Sequence, residues 1–333
     1  MRDPAFWWRP AGMAAGLLWP LGAIYGAVAG FRLTQAGRDA GVPVVCIGNL
    51  TLGGAGKNPA AMLVSQILAS AGRNPFVLSR GYGGALAGPV RVDPERHRAA
   101  DVGDEPLLLA RAAATVVARD RVAGALAASA AGAGSIVMDD GFQSPNLRKD
   151  VSILVVDGRR GVGNAQVFPA GPLRAPLDAQ LRRAAAVLVI GPGVAGDAVE
   201  SVSRGQGLRV FHGRLQPDAA ALATLKAKPV LAFAGIGDPE KFFATLVEAG
   251  IDVRARVSFP DHHRFSRDEA AGLIERATRE GLTLLATEKD MARLSGDADV
   301  AALAAAARAL PVRLAITEES EFRDLILRAA RDA

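Results

Sequence analysis

The sequence predicts an α/β fold in which helices cover mainly parallel sheets. Two observations support this class: short apolar runs alternate with helical patterns, and turn-forming residues separate them. A third observation, a charge-free segment ahead of the first apolar run, predicts an additional N-terminal helix. With 333 residues, the chain is long enough for two α/β domains or one large one.

The composition favours some partners over others. Half of the residues are hydrophobic and 5% are aromatic, so the cores consist mainly of Ala, Val and Leu. The net charge of +5 suits an anionic membrane surface or a phosphorylated substrate. Nucleic-acid binding is not predicted, because the sequence has no basic run with interleaved aromatic residues. The single cysteine, Cys46, excludes an internal disulfide framework, fits a reducing cytoplasm, and is expected as a buried core residue.

Residues 1–35 are predicted to form a membrane-associating helix. The stretch Pro10–Phe31 carries no charge, lies between Arg9 and Arg32, and is long enough to span a bilayer. Pro20 and several glycines interrupt it, and flanking Trp and Arg residues also suit a helix lying in the interface. We therefore expect an uncleaved helix that spans or lies in the membrane, with a buried core helix as the alternative.

Residues 36–215 are predicted to form a first α/β lobe and residues 216–333 a second, smaller one. The first alternating series has the expected strands Val42–Ile47, Phe76–Ser79, Thr115–Ala118, Ser135–Met138, Val151–Val156 and Ala186–Ile190, and the helices Pro59–Ala71, Glu105–Ala114 and Arg121–Ala131. A second series starts with the strand Leu208–Leu215, close to the boundary, and continues with the strands Pro229–Ala234, Val253–Phe259, Thr283–Ala286 and Pro311–Ile316 and the helices Pro239–Ala249, Arg267–Glu280 and Glu318–Ala330.

A glycine-rich segment between the first strand and the first helix has the form of a phosphate-binding loop (P-loop). Its backbone N–H groups and the following helix can face phosphate oxygens, and Lys57 can reach the outer phosphates of ATP. Asn58 stands where a hydroxyl residue usually holds Mg²⁺. The alternative is a glycine-rich turn with an incidental lysine. The expected nucleotide-binding residues are Thr51, Leu52, Gly53, Gly54, Ala55, Gly56, Lys57 and Asn58.

Asp139 and Asp140 follow a short apolar strand and are candidate Mg²⁺ ligands together with Asn58. Ligand sites of α/β sheets form where strands end, and P-loop enzymes place a metal-binding acid there. The alternative is an ordinary Asp-Gly turn.

Two further motifs carry acid–base residues. Asp104 precedes a helix in Gly-Asp-Glu-Pro, and its local sequence favours a helix cap, although an acid there is also well placed to take a proton from a hydroxyl. His262 and His263 follow Asp261 in a turn between a strand and a helix, which suggests acid–base work or metal binding. Zinc is not expected, because a third and fourth ligand at suitable spacing are missing.

Two loops complete the set. Arg174 stands on a Pro/Gly frame, Phe168–Pro176, suited to gripping phosphate. Lys289, in Thr-Glu-Lys-Asp, is expected in a helix cap with solvated side chains.

These motifs together resemble the tetraacyldisaccharide 4′-kinase family, and the resemblance covers nearly the whole chain. It rests on the apolar N-terminal helix and on the segments Gly48–Lys57, Ser79–Gly84, Gly103–Pro106, Asp139–Gln143, Pro169–Arg174, Ala234–Gly237, Phe259–His263 and Thr287–Asp290. The resemblance implies transfer of the γ-phosphate of ATP to the 4′-hydroxyl of tetraacyldisaccharide 1-phosphate, which forms lipid IVA in lipid A biosynthesis. It also implies a site between two lobes at the cytoplasmic face of the inner membrane.

The resemblance assigns roles to individual residues. It implies that Asp104 and His262 act as a base pair, which overrides the local preference for a cap. Lys57 and Mg²⁺ would offset the charge of the transferring group. The expected substrate contacts are Arg174, Arg121, Tyr82 and Gln143. Ala175 departs from the family pattern, which usually has Glu after the arginine.

The expected partners are the membrane-embedded lipid acceptor and inner-membrane lipid, without an obligate protein partner. The alternatives are a membrane-associated P-loop ATPase and a non-catalytic nucleotide-binding scaffold. Asn58 in the metal position keeps the scaffold open.

Overall fold

The computed structural model describes residues 3–226 and 228–330. The strands in these ranges are β1 (Val44–Asn49), β2 (Pro75–Ser79), β3 (Val90–Arg91), β4 (Ala114–Val117), β5 (Ser135–Asp139), β6 (Val151–Asp157), β7 (Ala186–Ile190), β8 (Arg209–Pro217), β9 (Val230–Ala234), β10 (Val253–Ser258), β11 (Thr283–Ala286), β12 (Arg308–Ala309) and β13 (Val312–Ile316). The α-helices are α1 (Met13–Leu33), α2 (Lys57–Ser70), α3 (Ala99–Val102), α4 (Asp104–Leu109), α5 (Arg121–Ala130), α6 (Leu177–Leu181), α7 (Val194–Gly205), α8 (Ala219–Leu225), α9 (Pro239–Glu248), α10 (Arg267–Glu280), α11 (Glu288–Leu294), α12 (Ala301–Ala306) and α13 (Glu319–Ala329).

The larger sheet has nine strands in the order β13-β8-β7-β6-β1-β5-β2-β4-β3. Its edge strands β13 and β3 run antiparallel to their neighbours, and the other pairs are parallel. The central strands are buried throughout, which explains why they read as continuous apolar runs instead of alternating ones. The carboxyl ends of β1, β2 and β5 therefore meet at one edge, where a ligand site is expected.

The smaller sheet has four parallel strands in the order β10-β9-β11-β12. Helix α10 packs between this sheet and α12, and its apolar residues join the core of the second lobe. The predicted α/β class with a larger and a smaller lobe is confirmed. The predicted strands lie within about two residues of their observed bounds, while the two-residue strands β3 and β12 were not predicted.

The C-terminal elements correct the predicted division of the chain. Strand β13 pairs with β8, and α13 packs against α2, so residues 312–329 belong to the first lobe and not to the second. Phe322 of α13 is buried against Phe211 of β8, with their ring centroids 5.1 Å apart. Hydrophobic periodicity identifies a strand or helix but not the sheet against which it packs. The sequence-based prediction therefore assigned β13 and α13 to the wrong lobe.

Helix α1 lies against the outside of the first lobe. Gly22 and Gly26 are buried against the loop that contains Val167, while Leu17, Ile24 and other large apolar side chains are exposed. Only 17% of the most apolar 18-residue stretch of α1 is buried, so the alternative of a buried core helix is wrong. Within residues 3–226 and 228–330, it is the one helix long and apolar enough to cross a membrane.

Replacing Phe322 by Ala is expected to destabilise the larger lobe by about 3–5 kcal/mol, because the cavity left beside Phe211 cannot close fully. Denaturant unfolding monitored by binding of ATP would measure the loss. The exposed neighbour Glu321 supplies the control, since Glu321→Ala removes no buried contact. Equal stability of the two variants would contradict the packing of α13 on this sheet.

Candidate active site

The predicted phosphate loop connects β1 to α2, and its shape is held by local hydrogen bonds. The Asn49 side chain donates to the carbonyls of Thr51 (2.7 Å) and Gly53 (3.1 Å). Gly56 ends the loop in the left-handed region (φ 89°), and a Cβ there would lie 2.8 Å from Ile190 Cδ1. Glycine is therefore required at this turn, which leads directly into the positive end of α2.

Lys57, the first residue of α2, is buried beside the acidic residues at the end of β5. Its Nζ lies 3.6 Å from Asp140 Oδ1. Burial lowers the pKa of Lys57, and the charge of Asp140 opposes that shift. A desolvated ammonium group at the start of a helix is an effective partner for phosphate oxygens.

Asp140 is held by two cations. Arg174 donates from Nη1 to Asp140 Oδ1 (3.0 Å) and from Nη2 to Oδ2 (3.2 Å), and its Nε donates to the Thr51 carbonyl (3.0 Å). Burial alone would raise the pKa of Asp140, but Lys57 and Arg174 outweigh it and hold this pKa below its usual value. Arg174 thus ties the strand end to the phosphate loop.

Asp139 differs from Asp140 because, among the described residues, it is buried without a cationic partner at hydrogen-bond distance. Ser79 Oγ donates to its Oδ2 (3.3 Å), and its Oδ1 has no partner in residues 3–226 and 228–330. Burial, followed by the charges of Glu105 and Asp140, raises the pKa of Asp139 to about 7. An orphaned buried carboxylate oxygen is costly unless something else binds it.

This donor set fits a Mg²⁺ ion that also binds nucleotide phosphates. Among the described residues, the unpartnered Asp139 oxygen and the adjacent Asp140 carboxylate offer hard oxygen ligands. The buried Asn58 Nδ2 also has no partner among those residues, and as a donor it suits a phosphate oxygen, not the metal. Among the residues that the structure describes, no group of three or more His, Cys, Asp or Glu side chains is arranged around a metal position. Mg²⁺ characteristically takes one or two carboxylates and completes its shell with phosphates and water.

Asp104 and His262 come together across the two lobes. His262 Nδ1 lies 3.2 Å from Asp104 Oδ2, and Asp104 Oδ1 accepts the backbone N–H of Glu105. The hydrogen bond with Asp104 raises the pKa of His262, against the effect of burial. Burial alone would raise the pKa of Asp104, but the bond to His262 and the charges of Arg293 and Lys289 hold it well below its usual range.

His263 and Tyr82 have distinct positions around this pair. His263 Nε2 binds Glu269, and its ring stacks on Phe259 with centroids 4.8 Å apart, so it supports the second lobe. The largely exposed Tyr82 ring lies 5.3 Å from the His262 ring, at the open side of the pair.

The structure also reveals partners that the sequence did not. Arg293 is buried against Asp104 and Asp290, and Lys289 Nζ donates to Glu105 Oε1 at 2.6 Å. Thr287 caps α11 as expected, but the Lys289 side chain is half-buried in an ion pair with Glu105 and is not fully solvated as expected. The sequence offered one hint of a special position for Lys289, since the chain contains very few lysines.

A cavity of about 350 Å³ separates α1 from the sheet edge. Apart from Arg32, the lining on the side of α1 is apolar, and four arginines dominate the opposite side. The lining residues are Tyr25, Val28, Ala29, Arg32, Arg80, Arg119, Arg121, Asp140, Gln143, Ser144, Asn146 and Arg174.

Two of the predicted substrate contacts also have structural partners. Arg121 is buried and donates to the carbonyls of Leu78 (3.0 Å) and Asp139 (2.9 Å), so it joins the ends of β2 and β5. Gln143 Nε2 donates to the Asn49 carbonyl (3.0 Å), which links the segment after β5 to the phosphate loop. Both therefore shape the floor of the cavity.

Comparison with known proteins identifies the family. A family model described as tetraacyldisaccharide-1-P 4′-kinase matches residues 14–331. The chain belongs to this family. Tetraacyldisaccharide 4′-kinases of Nitrobacter winogradskyi (51% identity, covering 98% of this chain and 97% of the relative) and Methylobacterium sp. strain 4-46 (55%, 96% and 94%) are among its curated relatives. The family resemblance inferred from the motifs is confirmed.

A solved member of the kinase family has the same fold. The crystal structure of an "apo" form of LpxK from Aquifex aeolicus in complex with ATP is 28% identical, with a TM-score of 0.77. The match covers 96% of this chain and 100% of that one. The fold and the kinase class therefore agree with those expected from the sequence.

We expect Asp139→Asn to raise the melting temperature of the nucleotide-free protein at pH 8 and to abolish kinase activity. The folded pKa of Asp139, about 7, lies above the ordinary value of 3.8 for an aspartate, so the folded state binds more protons between these values and loses stability as pH rises through them. The gain should shrink as pH falls from 7 towards 4. Thermal unfolding across this range would measure it.

Asp140→Asn is the matched control, because Lys57 and Arg174 stabilise that carboxylate. It should lower the melting temperature at pH 8. A gain in both variants, or in neither, would contradict the contrast between the two aspartates.

Proposed function

We propose that this chain transfers the γ-phosphate of ATP to the 4′-hydroxyl of tetraacyldisaccharide 1-phosphate, forming lipid IVA. The observation that carries the proposal is that an imidazole–carboxylate pair from both lobes meets at α4, which packs against α2, the helix that follows the phosphate loop. A simple ATPase or a nucleotide-binding scaffold has no need of a base for an acceptor hydroxyl. The family membership supports the same activity.

The donor half of the proposed site is the phosphate loop with Lys57. Backbone N–H groups of the loop and the start of α2 would bind the phosphates, and the Lys57 ammonium would offset charge that develops during transfer. Mg²⁺, bound by oxygens of Asp139 and Asp140, would supply further positive charge to the phosphates when present. Arg174 would hold Asp140 and the loop in place.

The acceptor half is the Asp104–His262 pair. With Nδ1 of His262 directed at Asp104, Nε2 is left to accept the proton of the acceptor hydroxyl. Asp261 Oδ2 lies 3.9 Å from this nitrogen, beyond hydrogen-bond distance. The ionised Asp104 would orient the imidazole and stabilise the imidazolium that forms.

The cavity beside α1 suits an acceptor with an anionic headgroup and acyl chains. Its arginines, including Arg80 and Arg119, offer cations for a sugar phosphate, and the apolar side of α1 continues towards exposed Leu17 and Phe31. We infer that α1 places the protein at the cytoplasmic face of the inner membrane, where such a lipid remains embedded.

Lys57→Ala and Asp104→Ala are each expected to reduce lipid phosphorylation by about a hundredfold or more, because one removes a phosphate contact and the other the partner of the base. The assay uses detergent-solubilised protein, labelled ATP, Mg²⁺ and the tetraacyl disaccharide 1-phosphate. Activity of the unmodified protein should rise with pH through the His262 pKa, which lies above 6.5, because the base must first lose its proton.

Lys226→Ala and the exposed Asp324→Ala are the controls. Normal turnover in both the Lys57 and Asp104 variants would exclude the proposed activity. ATP hydrolysis that does not depend on the disaccharide would instead indicate an ATPase.

The double variant Leu17→Glu, Ile24→Glu should lower partitioning onto phospholipid vesicles by about tenfold or more, because it places charge on the apolar surface of α1. Vesicle flotation measures the effect. Leu126→Glu with Val247→Glu changes two exposed apolar residues elsewhere and alters the net charge equally. Equal losses in the two double variants would show that α1 has no special part in membrane binding.

A further inference from the structure

Arg293 of α11 is a buried cation that contacts the first lobe from the second. Its Nε donates to Asp104 Oδ2 at 2.7 Å, and its Nη2 lies 2.6 Å from the same oxygen. That oxygen also faces His262 Nδ1. One carboxylate oxygen is therefore shared by the guanidinium of Arg293 and the imidazole of His262.

The other end of the guanidinium holds the turn that carries His262. Nη1 of Arg293 donates to the Gly235 carbonyl at 2.5 Å, and the backbone N–H of His262 donates to the same carbonyl at 3.2 Å. His262 has a left-handed backbone (φ 56°), which is uncommon for a residue other than glycine. A conformation of this kind persists where surrounding contacts enforce it.

Arg293 is itself fixed by a buried acceptor. Its Nη1 donates to Asp290 Oδ1 at 2.7 Å, and Thr287 Oγ1 donates to Asp290 Oδ2 at 2.6 Å. A Cβ at Gly235 would lie 3.1 Å from Asp290 Oδ1 and 3.2 Å from Arg293 Nη1, so the strand end approaches this pair closely. The planar fork of arginine suits three acceptors at fixed positions, whereas lysine offers a point charge.

We propose that Arg293 is a positioning residue for phosphoryl transfer: it fixes the Asp104 carboxylate and, through the Gly235 carbonyl, the turn of His262 in one geometry across the lobe junction. This role rests on the proposed function. Arg293 acts through the pair and makes no contact with the phosphate loop among its described hydrogen bonds, so the binding of ATP does not depend on it.

The charges around the pair predict a pH signature. His262 faces Asp104 from α4, Arg293 from α11 and Asp261 from its own turn, with the Tyr82 ring beside it, while Asp104 also faces Lys289. The positive charge of Arg293 lowers the pKa of His262, against the carboxylates. Loss of this charge would raise that pKa and move the acid limb of the activity profile to higher pH.

The test compares Arg293→Gln and Arg293→Lys with the exposed control Arg267→Gln. In Arg293→Gln, we expect kcat to fall about tenfold to a hundredfold, with an unchanged Kd for ATP and an acid limb displaced to higher pH. Arg293→Lys keeps the charge without the three-way contact, so its acid limb should stay near that of the unmodified protein while kcat remains reduced. Unchanged ATP affinity also shows that each variant is folded.

Two outcomes would overturn this role. One is a kcat and pH profile of Arg293→Gln equal to those of the unmodified protein. The other is a lowered melting temperature with an unmoved acid limb, which a merely structural arginine would give. Asp104→Ala separates these results from failure of the proposed function: if that variant is fully active, the base pair itself is misassigned, whatever Arg293 does.

Discussion

The contact between opposite charges at the junction of the two lobes is the interaction on which the candidate site depends. Asp104 and Glu105 begin α4 of the first lobe, and Arg293 and Lys289 face them from α11 of the second. Removing one member of the buried Asp104–Arg293 pair leaves the other uncompensated, at a penalty of about 3–5 kcal/mol. The same contacts that join the lobes therefore also hold the acid–base groups in place.

Two neighbouring carboxylates of the first lobe differ in their charge partners. Asp140 is stabilised by Lys57 and Arg174, whereas Asp139 keeps an unpartnered buried oxygen. The unpartnered oxygen does not stabilise the folded protein when no ligand is bound. It would stabilise a bound cation. The cost of burying Asp139 agrees with the metal-binding role that we propose for it, and the surrounding strand, buried on both faces, holds the carboxylate in place.

The candidate site was only partly predictable. The phosphate loop, the acids after β5 and the Asp104 and His262 motifs could be found, because glycine and acidic residues after strands leave local signals in the sequence. The separation of 158 residues between Asp104 and His262 hid their contact from any local pattern, and the family resemblance supplied the pairing. Arg293, separated from Asp104 by 189 residues, left no signal of its own, because a lone arginine on a short helix resembles a solvated one.

The sequence by itself determined the α/β class, the type and approximate bounds of most elements, and the apolar character of α1, because hydrophobic periodicity and turn residues act over a few positions. Only the tertiary structure decided that β13 and α13 return to the first lobe, that Arg121 binds strand-end carbonyls, and that Lys289 pairs with Glu105. These contacts join residues that are far apart in the sequence. They form only when the whole chain has packed and its apolar surfaces are buried against one another.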